Sequence, residues 1–115
     1  NALSALSRAR YGHLVADAGS LEVMKQVVAE GVAVGNAAGV RLAADKLIAA
    51  VVELGRVVPE ALSSTAQDIA RGKSTEIDSL NGFLVQRGAE TGVPTPVNQT
   101  LYSLVKLLER APSAR

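Results

Sequence analysis

Apolar residues recur at helical spacing along most of the chain, and no run of any length alternates in the manner of a strand. Leu3, Leu6 and Tyr11 belong to a first helix that starts without a capping signal and stops near Gly12. Ser20 is placed to cap a second, with Glu22 in its first turn, Val23, Val27, Val34 and Ala38 along one face, and Gly39 as its stop. A third runs from about Ala43 to Leu54, its stripe being Leu47, Ile48, Val51 and Leu54. Pro59 suits the first turn of a short fourth helix that ends near Ala70. The fifth starts at Ser74 or Thr75, buries Ile77, Leu80, Phe83 and Leu84, and ends at Gly92. Val93-Pro94-Thr95-Pro96 then forces an extended link, and Asn98 caps a last helix whose stripe is Leu101, Leu104, Val105 and Leu108. The pattern predicts one all-α domain of five or six helices.

Composition narrows the functions open to such a domain. The 115 residues suffice for one domain with its own core and are too few for two. With 48% hydrophobic and 20% charged residues the chain is globular. A net charge of +1 and 3% aromatics give neither an electrostatic footprint nor a stacking platform for nucleic acid. The absence of cysteine excludes disulfides and thiolate metal sites, and no His/Asp/Glu spacing matches a metal site. The most apolar window, Gly31 to Val40, is bounded by Glu30 and Arg41, short of the roughly 20 residues a membrane span needs. Asn1 opens on what reads as the interior of a helix, and the only methionine is Met24. We therefore expect the C-terminal piece of a longer protein, with Arg110 to Arg115 as a natural frayed tail.

Single residues offer little chemistry. Gly31, Gly35 and Gly39 fall on one helix face and suit close helix packing; they lack the spacing of a dinucleotide fingerprint. His13 stands alone and reads as a surface or helix-end residue, and Met24 as a core filler. Glu22, Glu30, Asp45, Glu53, Glu60, Glu90 and Glu109 read as solvated helix faces. The exception is the polar stretch from Ser63 to Gly82, where Asp68, Glu76 and Asp78 cluster. Its Thr75-Glu76-Ile77-Asp78 start fits ordinary helix capping as well as it fits a binding site.

Taken in order, several motifs resemble the C-terminal domain of ketopantoate reductases (2-dehydropantoate 2-reductases). They are Asn1-Ala2-Leu3-Ser4-Ala5-Leu6, Ser63-Ser64, Gln67-Asp68-Ile69, Arg71-Gly72, Thr75-Glu76-Ile77-Asp78, Leu80-Asn81-Gly82, Gly92-Val93-Pro94-Thr95-Pro96 and Asn98. The resemblance spans essentially the whole chain. It implies the all-helical C-terminal domain of the 6-phosphogluconate dehydrogenase-like enzymes. An N-terminal Rossmann domain, absent from this chain, would bind NADPH. The implied reaction is reduction of 2-dehydropantoate to pantoate in the cytoplasm, on the route to pantothenate and coenzyme A.

The resemblance also implies roles. Asn1 matches the second of two asparagines on the first helix that contact substrate. Ser64, preceding Glu76 at the spacing of the family motif, matches a serine that hydrogen-bonds substrate. Glu76 matches a glutamate expected at the nicotinamide end of the cofactor. The general-acid lysine would lie upstream of Asn1, so no catalytic residue is expected in this chain, and the chain alone should be inactive. Tyr11 stands where some members carry a further substrate-contacting asparagine, which opens the alternative of a paralogue that reduces another 2-oxo acid. A non-catalytic helical interaction module is the other alternative, opposed by the joint presence of Asn1, Ser64 and Glu76. The apolar stripe of the first helix should pack against upstream residues or in a homodimer.

Overall fold

The structure, a computed structural model, describes residues 1–111; the tail expected at 112–115 lies outside the described residues. Among the described residues there are seven α-helices and one 3₁₀ turn, and no strand. In chain order they are α1 (Ala2–Ser7), α2 (Tyr11–Ala16), α3 (Ala18–Ala37), α4 (Ala44–Val57), α5 (Ser64–Ala70), the 3₁₀ turn Ile77–Ser79, α6 (Asn81–Thr91) and α7 (Pro96–Arg110). The all-α class holds. The central helix is α3, which packs on α2, α4, α6 and α7, while α1 packs on α5 and α7. None of these helices is long and apolar enough to cross a membrane.

Local chemistry moves several expected boundaries. The first helix is two: Arg8 takes the left-handed conformation (φ 62°) and ends α1. Ser4 Oγ then donates to Ala9 O, and the first N–H groups of α2 bond across the molecule, Tyr11 N to Ala61 O and Gly12 N to Pro59 O. Asp17, not Ser20, caps α3, its carboxylate accepting from Ser20 N at 2.8 Å. That bond, then the Ser20 side chain, holds the Asp17 carboxyl below its ordinary value. Pro59 lies in a turn, and the fourth predicted helix starts later, with Ser63 accepting from Ala66 N as its cap.

The predicted fifth helix also starts late, at Asn81, because residues 77–79 close a 3₁₀ turn first. Gly92 ends α6 in the left-handed conformation (φ 76°), as expected. The following link crosses tightly over Gly88, where a Cβ would stand 2.7 Å from Val93 O and 2.8 Å from Thr95 Cγ2. Pro96 occupies the first position of α7, so Asn98 is its third residue and not its cap.

The fully apolar core is small. Ala2, Ile77, Leu101 and Val105 form it, with Leu3, Leu6, Val23, Val27, Val97 and Tyr102 packed against it. Leu3 and Leu6 of the α1 stripe pack against this core and stay half-buried. Phe83 (52% exposed), Leu80, Leu104, Leu47 and Leu54 are exposed instead of buried, since their helices pack through other faces. Gly31 meets Leu84 of α6, whereas Gly35 meets Leu42 just beyond its own helix and Gly39 turns the chain with φ 89°. The helix-packing reading therefore applies to Gly31 alone. His13 is an exposed residue in the last turn of α2, as expected.

Candidate functional site

The N-terminus of α1 meets the N-terminus of α5 through a knot of small polar residues. Asn1 Nδ2 donates to Ser64 Oγ at 3.3 Å and to Thr65 Oγ1 at 3.1 Å. Beneath them Ser63 Oγ donates to Asn1 O at 3.1 Å, and Ser63 N donates to Ser4 Oγ at 3.2 Å. Ser4, Ser63 and Thr65 are buried, while Asn1 and Ser64 are exposed. Buried hydroxyls of this kind must be satisfied locally, which fixes the two helix ends to each other. Asn1 and Ser64, the two expected substrate-binding residues, are thereby adjacent.

Asn1 also edges an open cavity of about 330 Å³ lined by residues of α1, α2, α3, α4, α6 and α7. Aliphatic side chains, among them Leu14, Met24, Val27, Leu84 and Leu101, make most of its wall. Its polar groups are few: Tyr11, Asn1, Asn81 and Asn98. A concave, largely apolar site with a few fixed polar groups is the usual form of a small-molecule pocket. Met24 lines this wall, so its filling role is beside the cavity.

Glu30 of α3 underlies the two inner asparagines. Its Oε2 accepts from Val97 N at 2.9 Å, and its Oε1 accepts from Asn98 N at 2.9 Å and Asn98 Nδ2 at 2.8 Å. The carboxylate thus caps α7 from another helix, where the helix dipole favours negative charge. Asn98 Oδ1 in turn accepts from Asn81 Nδ2 at 2.8 Å. The expectation that Glu30 is a solvated face residue is corrected: its partners lie 67 and 68 positions away in the sequence.

Glu76 lies outside this cavity lining, exposed, and its side chain makes no hydrogen bond among the described residues. Its neighbours are all held. Thr75 Oγ1 donates to Glu109 Oε1 at 3.1 Å and accepts from Ile77 N at 3.2 Å. Ile77 is fully buried. Asp78 accepts from Tyr102 Oη at 2.5 Å and from Lys106 Nζ at 3.3 Å. Those two bonds, the Tyr102 one first, hold the Asp78 carboxyl below its ordinary value, and the same contacts raise the Tyr102 phenol and the Lys106 ammonium. Asp78 therefore ties the turn to α7 and does not reach back as a capping-box acid. Glu109, bonded to Thr75 and within 3.6 Å of Lys106, is likewise not a solvated face residue. The other scattered acids fit that description: Glu53 and Glu90 pair with arginines three residues away, and Glu22 and Asp45 are exposed.

The sequence profile of the family described as "Ketopantoate reductase PanE/ApbA C terminal" matches residues 1–109. The chain is 35% identical over 109 residues to a 2-dehydropantoate 2-reductase of Pyrobaculum aerophilum, covering 95% of this chain and 39% of that protein. Its similarity to the Archaeoglobus fulgidus enzyme of the same name is also 35%, over 95% of this chain and 36% of the relative. Among solved structures, a PanE/ApbA family ketopantoate reductase from Ralstonia eutropha JMP134 superposes with a TM-score of 0.88 at 47% identity, over 95% of this chain and 36% of that one. A D-mandelate dehydrogenase solved with NADH and anilino(oxo)acetate superposes with a TM-score of 0.90 at 25% identity, over 95% of this chain and 46% of that one. The chain belongs to the ketopantoate reductase C-terminal family, and it spans less than two-fifths of the length of the curated relatives.

Proposed function

We propose that this member of the ketopantoate reductase C-terminal family is the substrate-side half of an NADPH-dependent 2-dehydropantoate 2-reductase. The observation that carries the reading is the Asn1–Ser64 pair fixed at the edge of an apolar cavity. A 2-oxo acid needs hydrogen-bonding groups in set positions, and a branched carbon skeleton needs an apolar wall. The Asn1 amide and the Ser64 hydroxyl supply the first, and the cavity supplies the second. The carbonyl oxygen gains charge as hydride arrives and needs an acid, which this reading assigns to a lysine upstream of Asn1.

In this reading the dinucleotide's phosphates belong to a strand and glycine-rich turn of the Rossmann domain, a unit of a kind not found among the described residues. The exposed, unbonded Glu76 carboxylate is suited to accept from a donor at the cofactor's nicotinamide end. The dinucleotide supplies the hydride, and an upstream Rossmann domain would hold most of it. The same reading places the enzyme in the cytoplasm. It admits a homodimer through the exposed apolar residues of α4 and α7, such as Val57 (59% exposed) and Leu107 (63% exposed).

A second reading, reduction of another 2-oxo acid, is favoured by two observations. Tyr11 lines the cavity, and the D-mandelate dehydrogenase fold neighbour was solved with anilino(oxo)acetate. Assay of the full-length parent against 2-dehydropantoate and phenylglyoxylate, with NADPH and with NADH, decides between them. In the parent, Glu76→Ala should lower kcat/KM about tenfold or more, roughly 1.4 kcal/mol of transition-state stabilisation. The 115-residue chain alone should neither turn over nor bind NADPH in calorimetry. Unchanged kinetics would return Glu76 to a turn residue, and tight NADPH binding by the chain alone would overturn the division of labour.

A further inference from the structure

The orientation of the cavity's inner amides follows from one carboxylate. A carboxylate only accepts, so Glu30 must face the Nδ2 of Asn98 and not its oxygen. Asn98 then presents Oδ1 to Asn81, and Asn81 must answer with its own Nδ2. This leaves Asn81 Oδ1. Among the described residues it has no hydrogen-bond partner, although the residue is only 8% exposed and lines the cavity. No fully buried side-chain polar atom among the described residues lacks a partner, so this oxygen is reachable. It stands among aliphatic side chains, where an unmatched acceptor is costly unless a ligand donor meets it.

We infer that Asn81 is a specificity-determining residue whose Oδ1 accepts a hydrogen bond from a hydroxyl on the aliphatic body of the 2-oxo acid, with Glu30 and Asn98 as positioning residues. The inference rests on the proposed function and adds to it the preference for a hydroxylated over a purely hydrocarbon skeleton. A site built around a hydrogen bond to a hydroxyl rejects the analogue that lacks it far more strongly than an apolar pocket rejects a missing methylene.

The test compares 2-dehydropantoate with its 4-deoxy analogue, 3,3-dimethyl-2-oxobutanoate, in the full-length parent. The unaltered enzyme should favour the hydroxylated acid by at least about tenfold in kcat/KM. Asn81→Leu, which keeps the branched skeleton without its polar atoms, should cut kcat/KM for the hydroxylated acid at least about tenfold further than for the deoxy acid, so the preference narrows. Asn81→Ala provides the same comparison if the leucine does not fold, because the ratio of two substrates on one preparation cancels loss of active protein. Equal losses on both acids would make Asn81 purely structural and overturn the inference while leaving the proposed function standing. A parent that reduces neither acid would refute the proposed function, and the inference with it.

Discussion

Replacing Glu30 removes the acceptor shared by α3 and the start of α7. Three hydrogen bonds at 2.8–2.9 Å end on this carboxylate, two of them from backbone N–H groups that no turn of α7 can satisfy. A hydrogen bond to a charged group contributes about 1.5–3 kcal/mol, and loss of a helix cap costs about 1 kcal/mol. Glu30 is half-buried, so water recovers part of the loss at the helix end. Glu30→Ala is therefore expected to destabilise the 115-residue chain by about 3 kcal/mol. Glu30→Gln keeps one accepting oxygen but aims an NH₂ at donors, and should cost about 1–2 kcal/mol. For a chain of 115 residues the alanine variant corresponds to a fall in Tm of roughly 12 °C. Urea unfolding followed by far-ultraviolet circular dichroism reads the difference as a shifted midpoint at constant slope. Glu22→Ala is the control; Glu22 is exposed, accepts from Gln26 at 3.5 Å, and its loss should change stability by less than about 0.5 kcal/mol. A loss below about 1 kcal/mol for Glu30→Ala would refute the clasp between α3 and α7.

Two further outcomes follow from packing and from titration. Gly55→Ala would place a Cβ 2.5 Å from Val15 Cγ2 and 3.1 Å from Tyr11 O, forcing α4 from α2, and should cost about 1–3 kcal/mol in the same unfolding assay; a neutral result would show that Val15 yields. Tyr102→Phe deletes the donor to Asp78. A depressed carboxyl contributes stability that is complete above its ordinary 3.8 and fades as pH falls below it, and a raised phenol contributes below its ordinary 10.0 and fades as pH rises above it. The Tm gap between wild type and Tyr102→Phe should thus be widest between those values and close outside them, whereas a gap independent of pH would disconnect the bond from both titrations.

Helix content was legible because α3, α4 and α7 each carry an apolar stripe of the right period. Gly92 and the proline-rich link were equally readable, since both act through local backbone geometry. The motif order led to Asn1 and Ser64 as a pair, and the fold brings them within hydrogen-bond distance. The break at Arg8 was not legible, because nothing in the chemistry of arginine announces a left-handed residue. Glu30, Asn81 and Asn98 were misread or passed over for a different reason. Their meaning lies in each other, across 17 to 68 positions, and a helix-face pattern carries no such information. Phe83 and Leu104 are exposed where the pattern predicts burial, because one period fits several rotations of a helix about its axis.

The Glu30 clasp has a temporal side. A ribosome adds about 5–20 residues per second, so the 67 positions separating Glu30 from Val97 take roughly 3–13 s to synthesise. Helices form in about a microsecond, and α3 is therefore complete long before its partner exists. Throughout that interval the nascent chain carries a carboxylate with no helix to cap, and Asn98, which orients the Asn81 amide, has yet to be made. The contacts that orient Asn98 and Asn81 can form only after the start of α7 has left the ribosome, so the last helix, and not the first, completes this part of the cavity wall.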